Sequence, residues 1–304
     1  MVLVLLPLLI DIISLIRKSL QKERSTDGHP KGFSPNKLHT VSAVTMKLAV
    51  FFVFFAAVFT LPSVPPQKYD NPPFFLLAGD STTATQSSSG GGWGDGFIST
   101  TLHNGAKGLN YGHEGATTVS FRAGGDWDTV LSKVQAYKAD YRVFVTIQFG
   151  HNDQSPANGV SLAEYTSNLE QFARDVKSAG GIPILITPLS RRNYDTSTGT
   201  PLVVQDLADQ RAATIVAAKN TETSYADLNK ASTDYLNSIG PADAYTFNLE
   251  PNDYTHLNVQ GSQVFGGMVA LLVDQAFPEL KHDGYVEVNS NLLTALEGGE
   301  YYWP

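Results

Sequence analysis

The chain has no cysteine among its 304 residues, which excludes a disulfide framework, a thiolate nucleophile and any cysteine-based metal site. It also lacks an Asn-x-Ser/Thr acceptor for N-glycosylation and any fixed-period repeat, so a solenoid or collagen-like architecture is not expected. No apolar run reaches the roughly 20 residues of a transmembrane helix. Basic side chains are few: 21 Lys and Arg face 29 Asp and Glu, for a net charge of −8. Nucleic-acid binding draws its affinity from a basic face, and none is expected here.

What remains is a globular composition, 42% hydrophobic with ordinary glycine and proline usage, long enough for one large domain or two small ones. The most apolar stretch, residues 48–59, follows Met46 and Lys47 and precedes a proline-rich segment. That order reads as a secretory signal peptide and linker over residues 46–66, cleaved between positions 57 and 64. Residues 1–45 then read as a gene-model extension ahead of a true initiator at Met46. The competing account, a membrane anchor over residues 1–16, is weakened by Pro7 and Asp11. Removing residues 1–66 takes away seven basic and three acidic residues and leaves a charge of −12. The expected mature protein is secreted, extracellular, monomeric and without stable membrane association.

Short apolar runs alternate with helical periodicity along the rest of the chain. Strands are expected at residues 74–78, 109–111, 143–149, 182–187 and 224–228, and helices at 93–103, 126–139, 162–179, 202–219 and 259–277. This alternation points to a parallel sheet in a three-layer α/β/α domain over residues 67–278. Ligands of such sheets bind beyond the C-terminal ends of the strands. Residues 279–304 read as a C-terminal extension with a final aromatic cluster, Tyr301, Tyr302 and Trp303.

Three polar blocks fall at that edge: Gly79-Asp80-Ser81-Thr82-Thr83, Phe149-Gly150-His151-Asn152-Asp153 and Asp253-Tyr254-Thr255-His256. Taken singly, each has a bland explanation as a helix cap, a strand-to-helix turn or an Asx turn. Together they hold the parts of serine acyl transfer. Ser81 is the candidate nucleophile, His256 the base that takes its proton, and Asp253 the carboxylate that orients the imidazole. An oxyanion needs donors, and Asn152 with the backbone amides of Ser81 and Gly115 can supply them, a register with Gly112 in place of Gly115 remaining open. His103, His113 and His282 lack ligand-like spacing with carboxylates, so neither a metal nor a cofactor is expected.

These blocks resemble the SGNH, or GDSL, hydrolase superfamily over residues 74–277, and within it the rhamnogalacturonan acetylesterases. The resemblance implies a flavodoxin-like sheet of five parallel strands, a Ser81–His256–Asp253 triad and an oxyanion hole containing Asn152. It further implies a metal-independent O-acetylesterase whose partner is an acetylated polysaccharide of the plant cell wall, rhamnogalacturonan pectin before the xylan, sialate or lipid esters of other members. A non-catalytic carbohydrate-binding protein on the same fold is the rival from another class. Arg191 and Arg192, after the fourth strand, are candidates to clamp the carboxylates of an acidic sugar; the bland alternative is a solvated loop or an ion pair with Asp195.

Overall fold

In the computed structural model, residues 71–87 and 91–304 are described. The expected signal segment and the extension before it lie outside these residues. The strands β1 (Pro73–Gly79), β2 (Lys107–Gly112), β3 (Arg142–Gln148), β4 (Ile182–Ile186) and β7 (Ser224–Ala226) form one sheet in the order β2-β1-β3-β4-β7. Every pairing within it is parallel. The chain thus has the α/β fold expected from the alternation of strands and helices. Gly79 stands level with Gly112 on one side and Gln148 on the other. The loops leaving β1, β2 and β3 therefore emerge at one edge.

The pleat divides the core. Phe75 and Leu77 of β1 point to one face and Phe74, Leu76 and Ala78 to the other, each set entering a separate hydrophobic cluster. The second face is covered by helices α3 (Asp126–Tyr137), α4 (Leu162–Ala179) and α5 (Ala208–Asn220), through Trp127, Val130, Phe172, Val176 and Ala217. The first face is covered by α1 (Gly94–Thr101), α6 (Leu228–Ala244) and α7 (Val259–Ala276), through Phe97, Leu236, Phe265 and Val269. A short helix, α2 (Thr118–Ala123), opens with a capping box between Thr117 and Ser120.

Helices α1 and α7 touch backbone to backbone. A Cβ on Gly96 would lie 1.9 Å from the Ser262 carbonyl oxygen, and one on Gly266 would lie 2.3 Å from the Phe97 nitrogen. Only glycine permits that approach. Gly96 N donates to Ser262 Oγ at 3.0 Å across the same seam.

Two expectations are corrected, and the packing of the C-terminal extension, which the sequence leaves open, is now seen. The helix expected over residues 202–219 begins at Ala208, because Leu202 and Val203 form β6 and pair antiparallel with Tyr194 and Asp195 of β5. The strand expected to reach Leu228 stops at Ala226, because Asp227 caps α6 by accepting from Lys230 N. The segment after Pro278 is structured as α8 (Pro278–His282) and α9 (Ser290–Gly298), and Leu280, Val286 and Leu292 belong to the same core cluster as Phe75.

Candidate active site

Ser81 follows β1 in a tight turn that its neighbour Asp80 builds. The Asp80 carbonyl accepts from Thr83 N and Ala84 N, while its Oδ1 accepts from Thr82 N at 2.9 Å and Thr82 Oγ1 at 2.7 Å. The single Thr82 hydroxyl proton is thereby used, so the hydroxyl oxygen accepts from Gln148 Nε2 at 2.7 Å. Gln148 closes β3, and its Oε1 accepts from Trp93 Nε1 at 2.7 Å and Thr83 Oγ1 at 3.2 Å. The Ser81 turn is thus tied to the neighbouring strand by a buried polar network. Gly79 leaves room for this: a Cβ there would meet the Gln148 carbonyl oxygen at 2.6 Å.

Beneath the turn two buried side chains face each other, with His151 Nδ1 3.7 Å from Asp80 Oδ2. Burial drives the Asp80 carboxyl upward, but the neighbouring His151 and the Thr82 donors hold it below its ordinary value. Asp153 goes the other way. Burial raises its pKa and the nearby Asp80 charge adds to the rise, although Oδ1 accepts from Thr118 N at 2.9 Å and Thr118 Oγ1 at 2.6 Å. His151 and Asp153 therefore frame the loop that carries Asn152 and face inward.

Asn152 Nδ2 donates to the Ala116 carbonyl at 3.0 Å, which joins the loop after β3 to the loop after β2. Gly115 lies in that second loop with φ +74°, and the space where a Cβ would stand is open. Gly150 turns the chain with φ +133° beside Pro188 and Tyr165, whose hydroxyl donates to the Phe149 carbonyl.

Asp253 and His256 come from a loop between α6 and α7. His256 Nε2 lies 2.9 Å from Ser81 Oγ, and His256 Nδ1 lies 2.9 Å from Asp253 Oδ2. Asp253 Oδ1 accepts from the backbone amides of Thr255 at 3.0 Å and His256 at 2.9 Å. One carboxylate therefore shapes its own loop and orients the imidazole. Burial opposes ionisation of Asp253, yet these amides and the His256 ring keep its pKa below the usual carboxylate value.

The two arginines differ. Arg192 is 0% exposed, so it cannot reach a substrate in solvent, and the expectation that it clamps one is corrected. Its Nε donates to Asn248 Oδ1 at 2.6 Å, its Nη2 to the carbonyls of Asp253 at 3.3 Å and His256 at 2.5 Å, and its amide to the Tyr254 carbonyl at 2.8 Å. The side chain fastens the loop from behind. Burial pulls its pKa down to about 10, with Asp253 opposing that fall. Arg191 keeps a fifth of its side chain exposed. Its Nε donates to Thr255 Oγ1 at 3.2 Å and its Nη1 to Asp206 Oδ2 at 2.8 Å. The Gln154 oxygen, turned toward it, accepts from both terminal nitrogens.

Gln148 and Asn248 were not singled out from the sequence. A polar residue closing an otherwise apolar strand was the available signal for Gln148; the sequence holds none for Asn248. Among the described residues, no three His, Asp or Glu side chains converge as a metal site would require.

Residues 77–264 match the GDSL-like Lipase/Acylhydrolase family. The chain is 29% identical over 186 residues to the probable rhamnogalacturonan acetylesterase YesY of Bacillus subtilis, covering 59% of this chain and 81% of that protein. It is 26% identical over 202 residues to the rhamnogalacturonan acetylesterase RhgT of the same organism, covering 62% of this chain and 83% of that one. The crystal structure of the protein YxiM from Bacillus subtilis superposes with a TM-score of 0.56 at 26% identity, over 70% of this chain and 57% of that chain. This chain thus spans little more than half of the solved YxiM chain. With its five-stranded parallel sheet and a match that runs from the end of β1 through the Ser81 turn into the last long helix, the chain belongs to the GDSL-like lipase/acylhydrolase family.

Proposed function

We propose that the protein is a serine O-acetylesterase acting on a polysaccharide, and that its substrate is acetylated rhamnogalacturonan. The observation that carries the chemistry is the unbroken relay in which His256 touches Ser81 Oγ and Asp253 Oδ2, each at 2.9 Å. In the proposed reaction Ser81 Oγ attacks the acetyl carbonyl carbon while its proton passes to His256 Nε2. Asp253 stabilises the imidazolium so formed. The tetrahedral oxyanion is held by Asn152 Nδ2 and the amides of Ser81 and Gly115. Collapse expels the sugar oxygen, which takes the proton from His256. Water, activated by the same imidazole, then releases acetate from the acetyl-serine.

The substrate assignment is supported by the two Bacillus subtilis relatives named for that activity. Arg191 adds one feature consistent with an acidic sugar. Of its five N–H groups, four are engaged by Thr255, Asp206 and Gln154, which leaves one on Nη2 for a substrate carboxylate. The proposed setting is extracellular, supported by the basic, apolar and proline-rich order of residues 46–66.

The test is hydrolysis of p-nitrophenyl acetate by the wild type and by Ser81→Ala. Wild-type turnover that is lost in the variant supports the mechanism; an inactive wild type or an unimpaired variant overturns it. Acetate release from acetylated rhamnogalacturonan, xylan and lipid then decides the substrate. N-terminal sequencing of the secreted protein tests the processing, and a chain still starting at Met1 refutes it.

A further inference from the structure

The aromatic residues near the end of the chain take no part in the reaction above, yet they pack on Thr246 and Phe247, next in the chain to Tyr245, which meets Tyr254 of the loop that carries His256. Tyr254 lies between Asp253 and His256, and its ring centroid is 5.1 Å from that of Tyr245. Tyr245 is 39% exposed and is braced edge-on by Tyr194 at 5.9 Å, whose hydroxyl donates to the Leu236 carbonyl. Beyond Tyr245, the Thr246 hydroxyl is 3.1 Å from that of Tyr301. Tyr301 and Trp303 pack on buried Phe247 at 5.8 and 6.1 Å, with Trp303 tilted from it by only 14°. Their outer faces remain open, at 37% and 47% exposure.

Two ring pairs, Tyr254 with Tyr245 and Tyr301 with Trp303, thus meet the single short turn Tyr245–Phe247 that precedes the His256 loop. A concentration of exposed aromatic surface marks a binding site more often than chance placement does. Three of the four rings carry a hydroxyl, which an acyl chain cannot use and a sugar can. The faces themselves carry the negative side of the ring quadrupole, which suits the axial C–H groups of a pyranose. Packing on Phe247 and Tyr194 fixes the rings beforehand, so little side-chain freedom is lost when a ligand stacks on them.

We propose that Tyr254, Tyr245, Tyr301 and Trp303 form a stacking platform for a polysaccharide chain, holding sugar rings next to the residue whose acetyl group is removed. The proposal rests on the esterase reading of Ser81. It gives the terminal aromatic cluster a role in recognition and places that role on the side of the site reached through Tyr254.

The experiment compares Trp303→Ala, Tyr245→Ala and, as an exposed aromatic elsewhere, Tyr225→Ala. Trp303→Ala and Tyr245→Ala should raise KM for acetylated pectin oligosaccharides about three- to tenfold and leave p-nitrophenyl acetate turnover unchanged, whereas Tyr225→Ala alters neither. A second readout uses the fluorescence of the Ser81→Ala protein. Trp93 and Trp127 are fully buried, so iodide quenching reports Trp303, and the acetylated oligosaccharide should protect it. Unchanged KM in both platform variants overturns the proposal. So does protection by phospholipid vesicles or by self-association in place of the oligosaccharide. Failure of the esterase reading is distinguishable, because the wild type would then not hydrolyse p-nitrophenyl acetate at all.

Discussion

Arg192 Nη2 lies 2.5 Å from the His256 carbonyl oxygen, so a wholly buried cation grips the main chain of the proposed base. The same guanidinium reaches the carbonyl of Asp253 and the side chain of Asn248. A planar guanidinium donates from separate nitrogens in fixed directions, whereas an ammonium offers three rotatable donors from a single nitrogen. Arg192→Lys should therefore fold and bind but lower kcat on p-nitrophenyl acetate on the order of ten- to a hundredfold, with KM little changed. In a His256→Ala background the same substitution should cost nothing further, since its effect passes through the imidazole. Wild-type kcat in Arg192→Lys, or an equal loss in both backgrounds, contradicts this account.

Asn152→Ala should lower kcat on the order of a hundred- to a thousandfold and leave KM nearly unchanged, because an oxyanion donor acts chiefly in the transition state. Steady-state kinetics on p-nitrophenyl acetate check this. A fall confined to KM would mean that Asn152 binds the ground state instead.

Arg191→Ala should raise KM on acetylated rhamnogalacturonan while sparing a small acetyl ester, since its remaining N–H is assigned to the polymer. Equal kinetics on both substrates would remove Arg191 from recognition and leave it as the partner of Asp206 and Thr255.

Asp274 on α7 is buried, its Oδ1 has no hydrogen-bond partner among the described residues, and its pKa is pushed up to about 7. Burial is the main cause; Lys281 lowers the value and Glu287 raises it. Its folded pKa exceeds its unfolded one, so the folded state holds the extra proton and stability falls as pH rises from about 4 to about 7. Asp274→Asn should raise Tm at pH 8 and change it little at pH 4. Thermal melts at both values decide; an equal shift at both would show that charge is not involved.

The parts of this molecule that were legible in the sequence are those whose causes are local. Helix α4 runs over Leu162–Ala179 as the spacing predicts, because Ser161 caps one end and Gly180, at φ +90°, stops the other. Strands β1 and β3 declare themselves as apolar runs because both their faces are covered. Helix α6 was missed: its pattern is interrupted at Gly240 and Pro241, where the chain kinks. Leu202 and Val203 looked helical because their strand partners, Tyr194 and Asp195, lie across a loop. The burial of Arg192 is not legible locally, because Asn248, Asp253 and His256, which bury and bind it, come more than fifty residues later. The motif blocks name the candidate reacting residues, but nothing adjacent to them in sequence names their supports.

The glycine seam between α1 and α7 has a consequence for how such a site is calibrated. Ser81 and His256 are 175 residues apart, and each lies shortly before one of the two helices that meet at Gly96 and Gly266. Two absent methyl groups thus act as a spacer gauge between Ser81 and His256, the proposed nucleophile and base. A single carbon added at either glycine would wedge the helices apart and detune proton transfer while every reacting group stayed chemically intact.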